Sequence, residues 1–158
     1  MKKSIKKILS VLLVLLIVIQ FIRIDTDNPK VDQGKDFIVL TSPSEEVKTM
    51  LNNACYDCHS NTTVYPWYSQ IAPVSWWLKR HIDEVRAELN FSEWGDYSAK
   101  KADHKLEECG EKVEKGAMPL NSYTWTHRDA KLSADQRKVL TEFFEKLRLE
   151  MTEAHDVE

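Results

Sequence analysis

Apolar residues fill one stretch of the chain and recur at helical spacing through the rest. Ile8–Ile22 is nearly all Leu, Val and Ile, broken by Ser10 and Gln20, and it follows the basic segment Met1–Lys7. Fifteen helical residues span about 22 Å, less than the roughly 30 Å of a bilayer core. That length suits either a signal-peptide core or a short anchor. No small residue stands between Ile19 and Ile24 to make a cleavage site. The expectation is therefore an uncleaved transmembrane helix within residues 1–24, with Lys6, Lys7 and Arg23 reaching the headgroups. The lysines ahead of it predict a single-pass protein of the cytoplasmic membrane, N-terminus cytoplasmic and remainder periplasmic or otherwise extracytoplasmic.

Residues 25–40 carry Asp25, Asp27, Asn28, Pro29, Asp32, Gln33, Gly34, Lys35 and Asp36 and are expected to form a polar tether. A helix start follows: Ser42 as N-cap, Pro43 in the first turn and Glu45 as the capping-box carboxylate. Val47, Met50, Leu51, Ala54 and Cys58 then recur at spacings of three and four. A second helix is predicted from about Pro73, with Val74, Trp77, Leu78, His81, Val85 and Leu89 on one stripe. A third runs from about Ser98 to Lys115, with Ala102, Leu106, Cys109 and Val113 inward and Gly116 as its stop. Ser133 and Gln136 form a capping box for a last helix whose stripe is Leu140, Phe143, Phe144 and Leu147. No segment alternates as a strand does. The fold class expected is all-α, with a domain over residues 41–150 and a disordered tail over 151–158.

Charge narrows the function classes. The chain has 158 residues and a net charge of −3, but residues 1–24 hold five basic residues and no acid, so the rest is more acidic than the total suggests. A domain of that balance lacks the footprint of a nucleic-acid binder. Three Cys are too few for a disulfide scaffold.

One pentapeptide carries chemistry. Cys55-Tyr56-Asp57-Cys58-His59 is C-x-x-C-H, the attachment sequence for c-type haem. Two thiols a helical turn apart can each add across a vinyl group of one porphyrin, and the adjacent imidazole can ligate the iron. A thiol–disulfide couple lacks the strand–helix alternation of its usual fold. A zinc site lacks a second ligand pair. A structural disulfide leaves His59 without a role.

The run CYDCHSNTTVYPWYSQIAPVSWW (residues 55–77), the segment LNFSEW (89–94), the loop GAMPL (116–120) and the helix after it resemble the bacterial haem-binding domain family of small, membrane-anchored monohaem proteins. The likeness covers roughly residues 42–149. It implies a class I cytochrome c-like helical fold around one covalent haem c.

The second axial ligand is a separate question. Met118 is the leading candidate, on a loop between helices and followed by a proline. His81 is the alternative, because it shares the stripe of Val74, Leu78 and Val85; His127 is a third candidate, and a five-coordinate iron is a further option. His104 falls off the apolar stripe, and His155 is in the tail. Cys109 reads as a small buried hydrophobe. Tyr65, Trp67, Tyr68, Trp76 and Trp77 either line the haem or fill the core. Lys79 and Arg80 are candidates for haem propionates or simply solvated charges. The function expected is single-electron transfer with unidentified redox partner proteins and no independent enzyme activity. The alternatives are a haem-based redox or gas sensor and, behind it, a haem-free dithiol oxidoreductase.

Overall fold

The structure, a computed structural model, describes residues 2–155. The long helices are α1 (Lys2–Ile19), α5 (Val74–Glu88), α6 (Ala99–Glu114) and α8 (Ala134–His155). Shorter ones are α2 (Phe37–Thr41), α3 (Glu45–Leu51), α4 (Asp57–His59) and α7 (Asn121–Thr124). There is no strand among the described residues, as the absence of alternating patterns predicts. Tight 3₁₀ turns at Trp67–Gln70 and Phe91–Asp96 punctuate the connections around α5.

The expected membrane-spanning helix is not found: among the described residues no helix is long and apolar enough to cross a membrane. The four lysines occupy the first part of α1, which leaves only Ile8–Ile19 as apolar length, about 18 Å. The expected span extends that length through Gln20–Ile22 and reaches the headgroups with Arg23. Instead the chain leaves the helix there, and these residues bond to the domain. Gln20 Nε2 donates to Ala72 O (3.0 Å) and Gln20 Oε1 accepts from Ala72 N (3.0 Å). Arg23 donates to Gln70 O, and the Trp76 indole donates to Ile22 O. The single-pass topology and the periplasmic placement rested on that span and are withdrawn with it.

The expected tether is only partly a tether. Within it, Phe37 is fully buried, and its ring lies 4.9 Å from Phe91 and 4.7 Å from Trp94. Asp36 caps α2 by accepting from Ile38 N, and it also accepts from the Tyr56 hydroxyl at 3.0 Å. The packed domain therefore begins before residue 41, because Phe37 supplies a core ring and Asp36 a partner for a buried phenol. The next cap also shifts. Ser42 sits in the left-handed region (φ 43) and ends α2, while Ser44 caps α3 by accepting from Val47 N.

α6 starts on the Ser98 cap and stops at Gly116, whose φ of 65 suits a residue without Cβ. The Ser133–Gln136 capping box forms in both directions, Ser133 N to Gln136 Oε1 and Gln136 N to Ser133 Oγ. α8 packs along α6 and contributes Leu140 and Phe144 to the core cluster that also holds Leu106, Leu51 and Phe91. It continues through His155, past residue 150 where the tail was expected; Asp156–Glu158 lie outside the described residues.

If Phe37 is core, Phe37→Ala lowers stability by about 3–5 kcal/mol, read as a shift of the urea midpoint. The same change in a tether leaves the stability within about 0.5 kcal/mol of its original value and the midpoint nearly unmoved.

Candidate functional site

The C-x-x-C-H segment lies where the helix that begins at Glu45 changes its pitch. Over Asn52–Tyr56 the backbone widens to i→i+5 hydrogen bonding, then tightens into α4. Such bulges concentrate at functional sites because they turn side chains out of the regular register. Here the bulge carries Cys55, and its end sets the direction of Cys58 and His59.

His59 is held by one hydrogen bond. Its Nδ1 lies 3.2 Å from Leu89 O, the carbonyl that follows α5. A carbonyl only accepts, so Nδ1 is the protonated nitrogen and Nε2 keeps its lone pair. Nε2 makes no hydrogen bond among the described residues. Burial lowers the pKa of the imidazole, against a smaller opposing effect of the Leu89 carbonyl, and so favours the neutral ring that a metal requires.

A buried polar network fixes that carbonyl. Asn61 N donates to Ser92 Oγ (3.1 Å), and Asn90 Nδ2 donates to Asn61 Oδ1 (2.9 Å). Ser92 N donates to Asn90 Oδ1, and Asn90 N donates to the Tyr97 hydroxyl (2.8 Å). The network joins the segment after His59 to the segment after α5, which is what brings Leu89 O to His59. Asn61, Asn90 and Ser92 are all buried, so loss of any one strands a partner away from water.

Two clefts share the Cys55–His59 turn as a wall. The first, about 240 Å³, is lined by Cys55, His59, Leu89, Phe91 and Met118, with Lys105 and Lys112 also on its walls. The second, about 320 Å³, is lined by Cys58, Tyr68, Trp77, Leu78, His81 and Leu120. Together they fall in the range of about 300–1,000 Å³ typical of ligand pockets. The structure thus brings Met118 to the cleft of His59 and places His81 in the other, its ring stacked on Trp77 at 5.5 Å. Val74 and Trp77, predicted to face inward, are exposed because their stripe is a cleft wall rather than core.

The remaining candidates separate cleanly. His127 stacks on Tyr123 at 4.1 Å and lines neither cleft; both border a polar cavity of about 300 Å³ with Asp57. His104 is exposed beside Glu107 and Glu108. Lys79 and Arg80 pair with Asp83 and Glu84 on their own helix, outside both clefts. Cys109 lines the first cleft, where burial pushes its thiol well above the ordinary range. Of the five aromatics, Trp67, Tyr68 and Trp77 line the second cleft, whereas Trp76 bonds to Ile22. Reading the sequence alone missed Leu89 O, Lys105 and Tyr123. A backbone carbonyl leaves no trace in residue type, and the other two lie far in sequence from the motif.

These groups fit a haem: an imidazole with a free Nε2, thiols opening into adjacent clefts, a thioether on the wall of the first, and apolar walls. Lys105, its side chain only 14% exposed and held by Glu108 at 2.7 Å, supplies a cation beside the first cleft.

The model of the haem-binding domain family matches residues 14–146. No curated protein and no solved structure matches the chain. With most of its length matched, the chain belongs to the haem-binding domain family.

Asn90→Ala removes the centre of the network that places Leu89 O. It is expected to lower stability by about 1–3 kcal/mol, measured by urea unfolding.

Proposed function

We propose that this haem-binding protein attaches one haem covalently and carries single electrons, as a monohaem c-type cytochrome. The observation that carries the reading is the state of His59, with Nδ1 engaged by Leu89 O and Nε2 free, in a cleft it shares with Cys55 and Met118, while Cys58 opens into the adjacent one. Bound haem supplies one-electron exchange at iron. The chain holds, orients and shields it.

In this reading Cys55 and Cys58 each add their S–H across a vinyl group, sulfur to one carbon and hydrogen to the other. His59 Nε2 would be the first donor to the iron, and the Leu89 carbonyl raises its basicity through the Nδ1 hydrogen. Met118 would offer a second donor to the iron, a soft thioether that would favour the ferrous state and raise the potential. Lys105 and Lys112 provide cations for the haem carboxylates, and Phe91, Leu89 and Val113 exclude water. Donor and acceptor are redox proteins, and the chain has no substrate chemistry of its own.

The thiols argue against the dithiol alternative. Burial pushes Cys55 up to about 12 and Cys58 up to about 11, so both are protonated at neutral pH. Thiol–disulfide exchange depends on the thiolate, which reactive cysteines gain from a lowered pKa.

A second reading, a haem sensor with a weakly held sixth position, is favoured by one observation. Met118 is half-buried on a loop outside any helix, where a thioether is displaced more easily.

Protein made with haem-attachment machinery is expected, after denaturation, to weigh one haem more than its polypeptide, and Cys55→Ala with Cys58→Ala to abolish the gain. An unmodified mass for the unsubstituted protein ends the covalent reading. Potentiometry separates carrier from sensor. Met118→Ala in a carrier abolishes the thioether-to-iron absorption band and lowers the potential markedly, since axial ligands set haem potentials over about 0.8 V. In a sensor whose sixth position Met118 holds only weakly, the thioether band is already faint in the unsubstituted protein and the potential shifts little. His81→Ala leaves both unchanged in either case.

A further inference from the structure

The loop that carries Met118 is fastened at two points. On one side, Ala117 N and Met118 N both donate to Lys112 O, at 2.9 and 3.1 Å, continuing the end of α6. On the other, α7 presents Tyr123, whose hydroxyl donates to Asp57 Oδ2 at 2.6 Å and lies 3.4 Å from Asn53 O. Among the described residues, these are the only side-chain hydrogen bonds from residues 117–127 to another element; those of Thr124, Thr126 and His127 stay within the segment.

Asp57 is a fixed anchor. It stands between the two cysteines of C-x-x-C-H, and its other oxygen accepts from Val64 N at 3.0 Å. Its carbonyl accepts from Thr63 Oγ1, and Thr63 in turn accepts from Arg86 on α5. Tyr123 is itself oriented by its stack on His127, and its ring separates the second cleft from the polar cavity. Burial, with Asp57 beside it, keeps the phenol protonated and therefore a donor.

We propose that Tyr123 is a positioning residue: its bond to Asp57 ties the Met118 loop to the segment bearing His59, so that one frame holds both axial donors. The proposal rests on the haem reading for its consequence but not for the tie itself. A ligand from solution must lift the loop to displace Met118, and the Tyr123–Asp57 bond resists that movement. Loss of a hydrogen bond to a charged group corresponds to roughly a tenfold or greater change in the loop equilibrium.

The test compares holoprotein with Tyr123→Phe, which keeps the ring and its stack. Tyr123→Phe is expected to retain the haem mass, weaken the thioether-to-iron band and bind free imidazole about tenfold more tightly. Hydrogen exchange of amides 117–124 is expected to accelerate by a similar factor, with or without haem. An unchanged band and imidazole affinity in a protein that carries haem overturn the proposal while leaving the haem reading intact. Where the unsubstituted protein carries no haem, that reading fails, and the exchange rates alone decide the tie: equal rates overturn it. Asp57→Ala is the second variant, since it removes the two oxygens that accept from Tyr123 and from Val64 N; it is expected to accelerate the same amides.

Discussion

The hydrogen bond between His59 Nδ1 and Leu89 O decides what the C-x-x-C-H segment can do. An imidazole has two nitrogens, and a neutral ring carries one proton between them. By accepting a hydrogen bond from Nδ1–H, the carbonyl keeps that proton on Nδ1, leaves Nε2 as a lone-pair donor and fixes the plane of the ring. Burial adds to this by disfavouring the imidazolium. Without the carbonyl the same residue could adopt either tautomer and turn about its side-chain bonds.

The rest of the domain can be read as the support for that bond. Leu89 is placed by the end of α5 and by the buried Asn61–Asn90–Ser92 network, which reaches outward to Tyr97 and Glu93. His59 is placed by a helix that widens before it and ends just after it. Behind both, Phe91 lies against Tyr56 in a near-parallel stack at 5.4 Å and against Phe37 at 4.9 Å. This packing couples the core to the site, since any shift of Phe91 moves the segment that begins with Leu89. α6 and α8 close the other side, and α6 gives the first cleft Lys105, Cys109 and Val113.

The same economy of elements explains why the two candidate distal donors do not compete in one space. Met118 follows α6, whose end faces the first cleft. His81 is on α5, whose exposed stripe walls the second. A helical stripe of Val74, Trp77, Leu78 and His81 looks like a core-facing surface in sequence. Its periodicity reports only that something apolar faces it, and a cleft satisfies that as well as a neighbouring helix does.

Local signals were legible without the structure: the helical class, the extent of α6 with Ser98 and Gly116 at its ends, the reciprocal Ser133–Gln136 cap, and the C-x-x-C-H unit itself. Each depends on residues within a few positions of one another, so spacing and residue type suffice. The N-terminal apolar run misled, because composition does not show where a helix stops; Gln20 and Arg23 found partners some fifty residues away. The polar stretch before residue 41 hid Phe37, whose burial depends on rings at Phe91 and Trp94. The chain by itself determined which groups could hold a haem. Only the tertiary structure decided which of them meet, because the Leu89 carbonyl, the Tyr123–Asp57 tie and the pairing of Met118 with the cleft of His59 are contacts between segments 30 or more residues apart.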